Sequence, residues 1–129
     1  MRRARRCLMD AENAFNDSDY PMAVRSQECV EMSLKAVLRA FGIEYPKKHD
    51  VSDALDLIEN FPEWFSSKLH AVKEISRDLA KKRGPAMYGY ELELKPAFEL
   101  FDEDDAVKAI NSAKEVFELC NRLIFEIFK

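Results

Sequence analysis

From Val107 to Ile127 an apolar side chain recurs at every third or fourth position: Val107, Ile110, Ala113, Phe117, Cys120, Ile124 and Ile127. A stripe of that period and length suits a long α-helix and no strand. The same spacing recurs three more times. Leu8, Ala11 and Phe15 predict a helix over 3–16. Ala23, Val30, Leu34, Val37 and Phe41 predict one over 20–41, and Phe65, Leu69, Val72, Ile75 or Ser76, and Leu79 predict one over 62–83. With 3 Gly, 5 Pro and no Thr in 129 residues, the chain has little to build turns or strands from.

Local signals set the boundaries. Asn16-Asp17-Ser18-Asp19 interrupts the first pattern; Ser18 or Asp19 can cap the next helix, with Pro21 in its first turn. Gly42 stops that helix, and a connector with Pro46 leads to Asp50, which can cap a short helix over 51–59. Asn60 and Pro62 restart the chain. Lys81, Lys82 and Arg83 load a last turn with positive charge before Gly84 and Pro85 end it. Tyr88 to Leu94 alternates with period two, but one strand makes no sheet. The segment over 84–101 is therefore expected to be an extended connection with a helical turn over 96–100. A structureless connection of that length is often functional. Asp102 caps the last helix, and Glu103, Asp104 and Asp105 complement its dipole. The expected fold is all-α: an up-and-down antiparallel helical bundle of four long helices plus a short helix, a single domain over 1–129.

Twenty Lys and Arg against 24 Asp and Glu leave a net charge of −4. Nucleic acid would then be held only by a local patch, and Arg2, Arg3, Arg5 and Arg6 form one such cluster. No apolar run reaches membrane-spanning length, and the arginine-rich N-terminus is followed by no signal-like stretch. Cys7, Cys29 and Cys120 are odd in number and far apart, which suits reduced thiols and a cytoplasmic location. Neither they nor His49 and His70 have metal-ligand spacing, so neither metal nor cofactor is expected. His49 is expected to fix the connector by a hydrogen bond, and His70 to lie at the surface.

The run Ser26-Gln27-Glu28 through Glu31-Met32-Ser33-Leu34-Lys35-Ala36, then Tyr45-Pro46-Lys47-Lys48-His49 and Val51 to Leu55, resembles the HEPN (higher eukaryotes and prokaryotes nucleotide-binding) domain family over about residues 11–127. The resemblance implies an all-α bundle, often homodimeric. Many such proteins are paired with a minimal nucleotidyltransferase in toxin–antitoxin modules, and active members are metal-independent ribonucleases. The family signature is Arg, four to six residues, then His, extended in a subset to a Tyr that the partner modifies with AMP. Arg83 falls on the Arg, Tyr90 on the modified Tyr, and Tyr88 stands where His is expected.

That departure matters chemically. Metal-free RNA cleavage needs a base, an acid and a fixed cation for the phosphoryl charge. Arg83 can supply the cation. Histidine has a reference pKa of ~6.5 and tyrosine ~10, so Tyr88 can donate a proton but is a poor base. The candidate site is thus Arg83, Tyr88 and Tyr90, with Glu31 and Lys35 as an ion pair that either stiffens its own helix or lines the cleft near Arg83. Three functions fit: a nucleotide- or RNA-binding component of a nucleotidyltransferase pair, with a degenerate ribonuclease motif; an active ribonuclease toxin using Arg83 and Tyr88; and a non-catalytic adaptor bundle. The partners implied are a second copy of the chain, the nucleotidyltransferase, and a nucleotide or RNA ligand.

Overall fold

The computed structural model describes residues 1–89 and 96–128. Among these there is no strand. The helices are α1 (Arg2–Asn16), α2 (Tyr20–Val24), α3 (Gln27–Ala40), a 3₁₀ turn η1 (Ser52–Leu57), α4 (Glu63–Ser66), α5 (Leu69–Tyr88), α6 (Ala97–Leu100) and α7 (Glu103–Ile127). Four are long, as the periodicity predicts: α1, α3, α5 and α7.

Side-chain contacts fix their directions. The start of α1 meets the end of α3 around Arg3, Lys35 and Arg39. Phe41, just past α3, meets Phe61 edge to face, and Phe61 packs on Phe65, so α3 ends where α5 begins. The Arg122 guanidinium lies 3.9 Å from the Trp64 ring centroid, while Lys81, Lys82 and Pro85 share a groove with Phe101 and Asp105. The α5 and α7 helices therefore run antiparallel, and the long helices alternate up and down. Leu34, Leu38, Leu55, Phe65, Leu79 and Leu123 are fully or almost fully buried at the centre. Each such side chain removed from water contributes about 1.5–3 kcal/mol. No helix among the described residues is long and apolar enough to cross a membrane.

Three local expectations need correction. The helix expected over 20–41 is broken at Arg25 and Ser26, where bonds from Arg25 N to Met22 O and Ser26 N to Ala23 O tighten the chain. The break re-aims the helix so that Ala23, Val24, Ser26 and Gln27 can all be buried. The stretch expected over 62–83 is likewise two helices, and it does not stop at Gly84 and Pro85. Pro85 lies inside α5, which ends at Gly89 with φ 72°. An internal proline costs one helical hydrogen bond; packing of Ala86 into the core and of α6 on α5 holds the turn nonetheless. The buried stripe of α7 is Ala106, Ala109, Ala113, Val116, Phe117, Cys120 and Leu123, leaving Val107 and Ile127 about 40% exposed. Small side chains let helices approach closely: Ala106 meets Ala14 and Ala23.

The N-caps Asp19 and Asp102 behave as expected, whereas η1 is preceded by Val51 and not capped by Asp50. Asp19 Oδ1 accepts from Met22 N at 3.2 Å, and Asp102 with Asp105 closes a reciprocal capping box on α7.

Candidate functional site

The inward face of α5 carries Val72, Ser76, Leu79 and Ala86, all buried. Arg83 continues that spacing of four, three, four and three. At ~100° per residue it lies within about 20° of Ser76, two turns further on. An arginine thus occupies a core-facing position, and its Nε is buried with no hydrogen-bond partner among the described residues. Arg25 Nε and Ser33 Oγ are left in the same way; each such group calls for an explanation, a bound water or ion among them.

Ser76 shows what this face points at. Its hydroxyl donates to Asp50 Oδ1 at 2.7 Å, which also accepts from Ser52 N at 3.0 Å and Ser52 Oγ at 2.7 Å. Burial opposes the Asp50 charge, but these bonds and the Arg77 guanidinium outweigh it, holding the carboxyl below its ordinary pKa. The α5 helix packs on α2. At the α2–α3 elbow Ser26 Oγ and Gln27 Oε1 are also buried without partners.

Next along α3 is a second polar cluster. Glu31 Oε1 accepts from Gln27 Nε2 at 3.1 Å and lies 2.9 Å from His49 Nδ1; Glu31 Oε2 accepts from Lys35 Nζ at 2.8 Å. Gln27 Nε2 also reaches the His49 carbonyl at 3.1 Å. Burial works against the Glu31 charge, yet the bonds from Lys35, His49 and Gln27 prevail and its pKa lies below the ordinary carboxylate value. The connector is therefore clamped through His49, as expected from the sequence. His70 is surface-exposed beside Glu74.

The predicted residues are only partly brought together. Glu31 and Lys35 form one pair. No hydrogen bond or ion pair among the described residues joins Arg83 to either, because Lys35 lies toward the far end of α3, beside α1. Tyr88 is 69% exposed on the last turn of α5. Five residues of helix rotate it about 140° from Arg83, so within one chain the two do not share a face. Tyr90 lies outside the described residues.

Sequence reasoning passed over Ser26, Gln27, Asp50 and Ser76 as site residues. The signal was polar residues at stripe positions: Ser76 within the α5 pattern, and Gln27 spaced with Val30 and Leu34. Groups of three or more His, Cys, Asp or Glu able to hold a metal are absent among the described residues.

A family model described as HEPN domain matches residues 1–123. Among solved structures, an archaeal HEPN homologue, ST0689, is 26% identical, with a TM-score of 0.69 and coverage of 95% of this chain and 93% of that one. TT1696 from Thermus thermophilus is 21% identical, with a TM-score of 0.73 and coverage of 94% and 92%, a likeness of fold alone. A comparison with curated proteins returns no match.

Proposed function

The chain belongs to the HEPN domain family, and from that premise we propose that it is a nucleotide- or RNA-binding component acting with a minimal nucleotidyltransferase, in the manner of toxin–antitoxin pairs, with Arg83 holding the phosphoryl group. The observation that carries this reading is the orphaned Nε of Arg83 on the core-facing side of α5. A guanidinium held there with its Nε donor unspent can receive an oxyanion, and its place on the stripe is more than a helix-end charge.

In this reading the protein is a homodimer. Each copy contributes an Arg83 to a shared cleft, and Tyr88, too exposed and too far round α5 to serve its own Arg83, faces the partner or the ligand. Without histidine at position 88 the site lacks a base, so the protein binds rather than cuts. Tyr90 is the residue to which the nucleotidyltransferase adds AMP.

Titration of the pure protein with AMP and with a short single-stranded RNA, alongside Arg83→Gln, tests the reading. Binding that is lost in the variant supports it; equal binding by both proteins overturns the role of Arg83. Mass spectrometry after incubation with ATP and the nucleotidyltransferase should show one added AMP, absent in Tyr90→Phe.

A further inference from the structure

The N-terminal arginines do not form the loose tail that their sequence position suggests. The α1 helix begins at Arg2. Arg5 packs its guanidinium 5.7 Å from the Phe117 ring centroid, and Arg6 pairs with Asp10 at 3.2 Å. Arg2 and Arg3 instead form one wall of a cleft of about 400 Å³. The opposite wall is a single face of α3, with Met32, Lys35, Ala36 and Arg39 at helical spacing, and Tyr45 closes one side.

The charge in this cleft is one-signed. No carboxylate among the described residues lines it; Glu44 lines the neighbouring depression. Lys35 is already balanced by Glu31. Arg2, Arg3 and Arg39 meet no carboxylate among the described residues, and the Arg39 Nη2 spends one donor on Tyr45 Oη at 3.1 Å. The Lys35 ammonium lies 5.6 Å from the Tyr45 ring centroid, which holds that ring in place. Three arginines thus line one concave volume in a protein whose net charge is −4.

We propose that this cleft is a second anion site, separate from Arg83, that takes a compact phosphate group carrying two or more negative charges, such as the polyphosphate of a small soluble ester. Arginine forks bind phosphate oxygens in pairs, and a concave site lined by one sign of charge raises the local concentration of anions. An extended polyanion fits less well, since it would have to continue over a chain whose net charge is −4. The cleft lies at the α1–α3 end, away from the α2–α5 seam, so it stands whether or not Arg83 binds phosphate.

The probe is inorganic tripolyphosphate, titrated calorimetrically at low salt, with orthophosphate and a single-stranded RNA oligomer as further arms. Tripolyphosphate should still bind Arg83→Gln, in which the proposed phosphoryl site is removed, and bind the triple variant Arg2→Gln, Arg3→Gln, Arg39→Gln made in that same chain about tenfold or more weakly. Orthophosphate, with less charge, should bind weakly at the same place. Arg3→Glu alone, at an exposed position, gives a second variant in which binding should fall. The proposal is overturned if the native chain does not bind tripolyphosphate, if the triple variant and Arg3→Glu both bind it unchanged, or if only Arg83→Gln loses it. It is equally overturned if RNA alone binds through these arginines.

Discussion

Ser76 and Asp50 are joined by a 2.7 Å hydrogen bond that ties the middle of α5 to the connector after α3. The same Asp50 oxygen holds Ser52 by backbone and side chain, so one carboxylate fastens three segments. Asp50→Ala leaves Ser76, itself buried, with an unmet hydroxyl. It should cost on the order of 1–3 kcal/mol, read as a shift of the urea midpoint. Ser76→Ala, which removes the donor but leaves Asp50 two bonds to Ser52, should cost less. Equal losses in the two variants would show that the carboxylate does not organise the connector.

The clamp at Glu31 has a pH signature. Its folded pKa lies below the unfolded value, so its contribution is full above the ordinary carboxylate range and fades as pH falls through the depressed value. Stability should therefore decline with acidification below about pH 4–5. Glu31→Gln should be less stable than the native chain at pH 7 but show a shallower decline on acidification. Parallel declines in chemical denaturation across that range would remove Glu31 from the account.

Arg83 should trade stability against binding. A guanidinium with a buried, unpartnered Nε on a core-facing stripe costs desolvation that an apolar side chain avoids. Arg83→Leu should leave the melting temperature unchanged or raised while abolishing phosphate binding at the α2–α5 seam. A marked loss of stability would instead identify Arg83 as a structural prop.

Much of the bundle was legible because its long helices bury periodic stripes, and Phe65, Val72 and Leu79 are buried where that period puts them. The misreadings share a cause. Local grammar at Gly84-Pro85 says stop, but docking of Ala86 and α6 outweighs one lost hydrogen bond, and the stop moves to Gly89. That shift hid the fact that Arg83 belongs to the next repeat of the stripe and not to a helix end. Large apolar residues drew the α7 stripe toward Val107 and Ile127, whereas its alanines set the close contacts. The network of Gln27, Glu31 and His49 joins segments up to 22 residues apart, and no local pattern encodes which carbonyl or carboxylate a side chain will find. The pair of Glu31 and Lys35, four apart on one helix, was legible for the opposite reason.

Thiol chemistry should follow burial. Cys7 is half-buried, whereas Cys29 and Cys120 are fully enclosed. Burial raises all three thiols, that of Cys29 to about 12 and that of Cys120 further still. A colorimetric thiol reagent on the native protein should titrate one thiol slowly, and all three only in denaturant. Rapid reaction of more than one would mean that the core opens readily.

Tyr88→His restores the missing base to the family motif at an exposed position on the last turn of α5, where the substitution disturbs no packing. If the site needs only that group, the variant should cleave single-stranded RNA in EDTA faster than the native chain. A base contributes typically 10²–10⁴-fold, so a gain of tenfold or more is within range even with imperfect geometry. The activity should vanish when Arg83→Ala is added, since the phosphoryl charge would then lose its cation. It should also rise with protein concentration through the dimerisation range, because Tyr88 and Arg83 point about 140° apart on one helix and can meet only across two copies. Cleavage by Tyr88→His that survives Arg83→Ala would sever the link between these two positions, and cleavage independent of protein concentration would rule out the shared cleft.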